Sequence, residues 1–206
     1  GADVGTLKAQ VEKGINGEIQ FLDNNSDEVY DVVYVTDYID LVVDTINSRD
    51  YRINGRDNHG NYMGIYLDVD DSDYTFDIMR NGKKATFNDI REGDVISICG
   101  VVSDNRYLES GTVYIVSNST IEGTIDAVDT TNKVIRIDGR EYDYLFDDDL
   151  AKLGYEGVFY LNQQGKIIAM DKTNISRNMN FGFMTRLGAT GGVSSRIESR
   201  VLNKDG

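Results

Sequence analysis

The residues with the clearest chemical potential lie in one short stretch, Asp23-Asn24-Asn25-Ser26-Asp27-Glu28-Val29-Tyr30-Asp31. It joins two apolar runs, 19–22 and 29–35. Oxygen-bearing side chains fall at loop positions one, three, five and nine. Asp23, Asn25, Asp27 and Asp31 are therefore the candidate ligands of a hard cation such as Ca²⁺, with a backbone carbonyl near position seven as a further oxygen. Calcium takes six to eight oxygens, so water or another segment would complete the shell. The alternative is an acidic hairpin loop that is only solvated. A tight calcium loop prefers Gly after its third acidic position, and this chain has Glu28 there.

The other clusters point less clearly to chemistry. His59 is the sole histidine and sits in Arg56-Asp57-Asn58-His59-Gly60-Asn61, which reads as a surface turn because no nucleophile accompanies it. No serine occupies a nucleophile elbow, and no His/Cys group has zinc spacing. Asp68, Asp70, Asp71 and Asp73 form a second acidic turn, and Asp147, Asp148 and Asp149 a third. Paired carboxylates serve glycosidases only at a defined separation, which the sequence does not set. The Gly-rich stretch 188–192 is no phosphate loop, because no Lys-Ser/Thr and no helix follows. The expectation is a protein without catalysis, cofactor-binding residues or turnover.

Tyrosines alternate through strand-like runs: Tyr30, Tyr34 and Tyr38; Tyr62, Tyr66 and Tyr74; Tyr142 and Tyr144. Exposed rows of this kind stack on sugars. Half-buried strand tyrosines with wet hydroxyls give the same pattern.

Composition sets the setting for these residues. The 206-residue chain is 40% hydrophobic, enough for a packed core. It contains no proline, so turns rest on its 21 Gly and on Asn and Asp. A net charge of −14 disfavours nucleic acid and anionic membranes as partners. No apolar run is long enough to span a bilayer, and no signal-peptide pattern is present. The charge is uneven. Residues 23–50 hold Asp23, Asp27, Glu28, Asp31, Asp37, Asp40, Asp44 and Asp50 against Arg49 alone. Residues 175–206 hold Arg177, Arg186, Arg196, Arg200 and Lys204 against Glu198 and Asp205. Cys99 is the only cysteine, which rules out an internal disulfide and reads as a small core residue.

The elements that must position these groups are strands. Short apolar runs recur every eight to twelve residues with turn signals between them: Asn81-Gly82, Asp138-Gly139 and Gln164-Gly165. Helical hints are brief, at 87–92 and 148–152. A weak repeat relates 84–98 to 142–161, each reading as strand, short turn, Glu-Gly, strand. The expected fold is all-β, built from two or three small tandem β-barrel-like modules of the OB/SH3 kind. Residues 48–118 form one unit and 119–173 a second. Residues 1–47 form an N-terminal segment bearing the acidic loop, and 174–206 a C-terminal hairpin expected to pair with it.

Several of these segments together resemble a known family. The runs Phe21-Leu-Asp-Asn-Asn-Ser-Asp-Glu-Val-Tyr-Asp-Val-Val-Tyr-Val35, Gly123-Thr-Ile-Asp-Ala-Val128, Ile137-Asp-Gly-Arg-Glu-Tyr142 and Glu156-Gly-Val-Phe-Tyr-Leu-Asn-Gln-Gln-Gly-Lys-Ile-Ile-Ala169 resemble the β-rich tandem modules beside S-layer homology repeats in secreted proteins of clostridia and relatives. So does the run from Asn180-Phe-Gly-Phe-Met184 to Gly191-Gly-Val-Ser-Ser-Arg-Ile-Glu-Ser-Arg-Val-Leu-Asn203. The likeness spans most of residues 18–206. It implies an extracellular, cell-wall-associated surface protein with structural or adhesive work, whose wall-anchoring repeat lies outside this chain. Other copies or modules of the same protein are the implied partners, with cell-wall polysaccharide as a further candidate. Two other readings stay open: a carbohydrate- or cell-wall-binding module using the tyrosine rows, and an accessory domain of a secreted hydrolase.

Overall fold

A computed structural model of the chain describes residues 15–68, 70, 75–100, 111–175, 182–190 and 196–203, the last two ranges as backbone. The chain is all-β. Its strands are β1 (Gly17–Leu22), β2 (Val32–Asp37), β3 (Ile39–Asn47), β4 (Arg52–Arg56), β5 (Tyr62–Tyr66), β6 (Phe76–Arg80), β7 (Lys83–Ala85), β8 (Val95–Cys99) and β9 (Thr112–Ser117). Then come β10 (Thr120–Asp129), β11 (Val134–Ile137), β12 (Arg140–Asp143), β13 (Tyr155–Leu161), β14 (Ile167–Ile175), β15 (Gly182–Thr190) and β16 (Arg196–Asn203). The one helical element described is a 3₁₀ turn at Phe87–Asp89, where Asp89 accepts from the Thr86 N–H and hydroxyl, each at 2.8 Å. The hint at 148–152 is a turn. No helix among the described residues is long and apolar enough to cross a membrane.

The turn signals hold. Asn81 and Gly82 adopt φ of 52° and 72°, Asp138 and Gly139 47° and 83°. Both central residues of these hairpins thus take the left-handed conformation that a two-residue type I′ turn requires.

The strands form a seven-stranded sheet ordered β5-β4-β3-β8-β9-β6-β7, a five-stranded sheet ordered β12-β11-β10-β13-β14, and two separate hairpins, β1–β2 and β15–β16. The same order appears in both larger sheets. β3-β4-β5 and β10-β11-β12 are meanders whose first strand also pairs with a later strand, β8 or β13, followed in turn by β9 or β14. The seven-stranded sheet adds the β6–β7 hairpin at its edge, joined through a parallel pairing of β6 with β9.

Neither sheet closes into the expected barrel. The five-stranded sheet comes nearest: its edges meet at one bridge between Tyr144 and Ile167, where the Leu145 N–H donates to the Ile167 carbonyl at 2.8 Å. A continuous ladder between edge strands is what closure demands, and a single bridge does not supply it. The expected division at residue 48 also needs correction. β3 lies at the centre of the seven-stranded sheet, paired with β4 and with β8. Its run Leu41-Val42-Val43 is buried on both faces, so it belongs to a central strand and not to an N-terminal appendage.

Two hydrophobic cores result. One holds Leu41, Ile53, Leu67, Phe87, Ile96, Ile98 and Tyr114. The other holds Ile125, Ile135, Ile137, Tyr144, Phe159 and Ile167. Tyr144, read as part of a tyrosine row, is thus wholly buried. Its hydroxyl reaches Asp148 at 2.7 Å. Cys99 ends β8 and is half-buried, so it is not the full core residue expected.

Candidate functional site

The hairpin β1–β2 holds the acidic loop at its tip. Leu22 pairs with Val32, and the Asp31 N–H donates back to the Leu22 carbonyl at 2.8 Å. Within this frame the four candidate ligands organise the loop themselves. Asp23 accepts from the N–H groups of Asn25 (3.1 Å), Ser26 (2.7 Å) and Glu28 (2.9 Å). The Asn25 side chain accepts from the Asp27 N–H at 3.1 Å and donates to the Asp27 carboxylate at 3.1 Å. Asp27 accepts from the Val29 N–H at 2.9 Å, and Asp31 from the Asn24 N–H at 2.8 Å.

This turns the loop inward around Asp23. Desolvation opposes ionisation of Asp23, but the N–H groups of Glu28, Ser26, Asn25 and Asp27 outweigh it and hold its carboxyl below the usual carboxylate range. Glu28 adopts φ of 67°, the left-handed conformation that glycine takes most easily. At Glu28 the backbone thus takes a left-handed turn with a residue that strains to make it. No group of three or more His, Cys, Asp or Glu side chains among the described residues converges on a common metal position.

The second candidate region is the contact between the two larger sheets, and sequence reading missed its central residues. Asp40 on β3 pairs in register with Ser97 on β8 and is 3% exposed. Its carboxylate accepts from the Ser97 hydroxyl at 2.6 Å, from the Asn16 side-chain amide at 2.7 Å and from the Asn162 side-chain amide at 2.9 Å. Asn162 is itself 2% exposed and shapes its turn by accepting from the Gln164 and Lys166 N–H groups, each at 3.0 Å. Burying a carboxylate is costly unless hydrogen bonds compensate, and here three donors do so. The base of the β1–β2 hairpin is tied to the same point, because Asn16 also donates to the Tyr38 carbonyl at 3.0 Å.

Two residues along β3, Val42 packs with Val95, Ile168 and Ala169, flanked by Leu145 and Tyr160. Further along, Arg56 pairs with Asp44 in its own sheet and with Asp171 of the other at 2.7 Å. Its guanidinium also lies over the Tyr160 ring, 5.7 Å from the centroid. The Tyr160 hydroxyl donates to Asp171 at 2.8 Å. Desolvation, with that bond to Asp171, raises its pKa. A third strip completes the contact: the Asn58 amide donates to the Leu145 carbonyl at 2.8 Å, and His59 Nδ1 lies 2.7 Å from Asp147.

The residues first read as possible catalytic groups are thus placed apart. Arg56 faces Asp171, while His59 faces Asp147. Asp57 supports its own turn, accepting from the His59 and Asn61 N–H groups at 2.9 and 2.8 Å. Asp148 takes Lys133 at 2.6 Å and the Tyr144 hydroxyl, which together depress its pKa. In the turn at 68–73, Asp68 accepts from the Asp70 N–H at 2.9 Å, and Asp71 and Asp73 lie outside the described residues. A pocket lined by Ile46, Ser48, Phe87, Asn88, Arg91 and Glu92 carries one carboxylate, where glycoside hydrolysis uses two.

Tyr62 and Tyr66 project from the edge strand β5, 60% and 56% exposed, on either side of Gly64. Arg52 donates to the Tyr62 hydroxyl at 2.7 Å and lies 5.3 Å from the Tyr66 ring centroid. The Tyr62 hydroxyl donates to Asn54 at 2.6 Å.

Comparison with family models, curated proteins and solved structures finds no match to this chain.

Proposed function

We propose that the chain is a non-catalytic structural segment of a secreted, cell-wall-associated protein of the surface-layer type. The observation that carries this reading is the joint between the sheets. A buried carboxylate with three donors, an apolar patch and an Arg56–Asp171 bridge make two sheets into one stiff unit, which suits a protein that spaces or bears load. Asp40 and the His59–Asp147 pair brace the two sheets, and Asp148 braces the five-stranded sheet through Lys133 and Tyr144. The resemblance of residues 18–206 to surface-layer modules supplies the setting. In solution the two sheets should share a single alignment tensor in residual dipolar couplings. Antibodies to the chain should label intact source cells and enrich with the wall fraction. Independent tumbling of the sheets, or recovery only from the cytosol, overturns the reading.

The acidic loop adds a calcium function to this structural role. Asp23, Asn25, Asp27 and Asp31 are the ligands, and binding is weak because Glu28 occupies the glycine position. A ligand held only by the folded form raises the melting temperature. Millimolar calcium should raise it for the parent chain and leave Asp27→Ala unchanged. An equal response from both variants removes the loop as the site.

One observation favours carbohydrate binding as a second reading: the exposed Tyr62–Gly64–Tyr66 strip with Arg52 and Asn54 fixed beside it. Polar side chains held rigidly next to aromatic rings suit glycan contacts. Under this reading Tyr66→Ala abolishes retention on wall polysaccharide. Equal retention of the variant excludes the strip.

A further inference from the structure

Each end of the described chain is a two-stranded hairpin with one mainly apolar face. In β1–β2, Ile19 pairs with Val35 and Phe21 with Val33, so these four share one face. None of them is fully buried. Phe21 is 52% exposed, and Tyr30, with its ring centroid 5.1 Å from that of Phe21, is 64% exposed. The opposite face carries Glu18, Gln20, Tyr34 and Thr36, with the Leu22–Val32 pair at its loop end. In β15–β16, register places Met184, Leu187, Ala189, Ile197 and Val201 with Ser199 on one face, and Arg186, Arg196, Arg200 and Glu198 with the Phe183–Leu202 pair on the other. Both hairpins remain two-stranded sheets. Such a hairpin is marginal in water without a further layer on its apolar face.

We propose that these hairpins are the two halves of a joint between successive copies of the chain. The apolar face of the C-terminal hairpin of one copy packs on that of the N-terminal hairpin of the next, as a small two-layer sandwich. Sheets pack face to face at about 10 Å, a spacing that brings Phe21, Val33 and Val35 within reach of a facing apolar layer. Charge guides the encounter. The N-terminal hairpin carries Glu18, Asp23, Asp27, Glu28, Asp31 and Asp37, whereas the C-terminal one carries Arg186, Arg196 and Arg200 against Glu198.

The joint between the larger sheets favours a second copy over the same chain as the occupant. Along β3 the contacts run in order: Asp40 to Asn162, Val42 to Ile168 and Ala169, then Asp44 through Arg56 to Asp171. β14 therefore runs away from the point where Asn16 anchors the first hairpin on Asp40, and it continues in that sense to Ile175. The first hairpin is thus anchored at one end of the contact between the sheets, and β14 ends beyond the other. A head-to-tail contact of this kind is heterologous and propagates as an open chain of copies.

This inference rests on the structural reading above and is tested separately from it. Sedimentation velocity of the full chain should show a concentration-dependent ladder that weakens with salt. The full-length variants Phe21→Glu/Val35→Glu and Leu187→Glu/Ile197→Glu should each remain monomeric. Their equimolar mixture should stop at a dimer, since each supplies the one intact hairpin that the other lacks. A parent chain that stays monomeric to high micromolar concentration overturns the proposal whatever the variants do. So does a ladder from either variant alone, or a mixture without dimer. Surface labelling of cells that persists beside a monomeric chain would leave the structural reading standing and remove only the head-to-tail joint.

Discussion

The two larger sheets use one device in two ways. β3 and β10 each pair with one neighbour along their first half and another along their second, and each carries an irregularity, at Val43/Thr45 and at Ile125/Ala127. The residue set off by that irregularity is an aspartate in both, Asp44 and Asp126. Each is met by an arginine from the next strand, Arg56 and Arg136. In the five-stranded sheet the pair stays local, since Asp126 also accepts from the Gly139 N–H at 2.8 Å and so fastens the neighbouring hairpin turn. In the seven-stranded sheet Arg56 keeps a second arm for Asp171 and stacks on Tyr160. One added acceptor thus converts a hairpin brace into a link between sheets.

The largest effect on the joint itself should come from breaking it at its buried end. Asp40→Ala leaves the Ser97 hydroxyl and the Asn16 and Asn162 amides without their acceptor. Stranding a buried polar group costs about 1–3 kcal/mol, so the loss is at least that large. Because the joint couples two cores, the parent chain should melt in one transition and Asp40→Ala in two. A single, merely shifted transition would show that the cores cooperate through other contacts. As a reference, Phe159→Ala empties the centre of the five-stranded core, a truncation that costs about 3–5 kcal/mol. In the Asp40→Ala background it should lower only one of the two transitions.

The arginine pair offers a sharper but smaller contrast. Arg56→Ala removes a link between sheets and should cost about 1 kcal/mol, in the range of partly exposed ion pairs. Arg136→Ala should cost less, because Asp126 and its partner are open to water. The difference should show in hydrogen exchange. Arg56→Ala should expose amides around 168–171, while Arg136→Ala should affect only the 136–139 turn. Equal spread from both would mean that Arg56 does no linking.

This contrast also marks what the sequence discloses. The apolar run from residue 95 and the strand-like run 121–128 predict strands, and Asn81-Gly82 and Asp138-Gly139 predict turns, because these depend on neighbours within a few residues. The partner of each strand is another matter. The parallel pairing of β6 with β9, and the place of β3 at the centre of a sheet, depend on contacts far apart in the chain. Dividing the chain at residue 48 from a local repeat could not detect them. The acidic loop was legible because the side chains and N–H groups that shape it are local. The Asp40–Ser97–Asn162 network was not, since its members lie in three separate segments. Its trace in the sequence is slight: an acid at the head of the apolar run 41–43 and a serine inside 95–98, each where a core strand would ordinarily be apolar.

The smallest expected effect is in acid. The carboxyl of Asp126 is held below its ordinary range by its bond to Arg136, against some desolvation and with help from the Gly139 N–H. Asp148 is lowered by Lys133 and Tyr144, Asp129 by Asn132 and Thr131. A carboxyl whose folded pKa is depressed binds protons less readily folded than unfolded. The stability it adds is complete above the unfolded value, about 3.9, and is lost as pH falls through the lower folded value. All three sit in the five-stranded sheet or its turns. Urea midpoints should therefore hold steady from neutral pH to about pH 5 and fall below about pH 4. In the Asp40→Ala chain, where the two melts separate, the five-stranded transition should show this acid loss as a distinct step. Asp126→Asn should make that step shallower without moving its onset. An acid profile identical in parent and Asp126→Asn would assign the loss to other carboxylates, and with it would go the claim that the local brace in this sheet contributes to its stability.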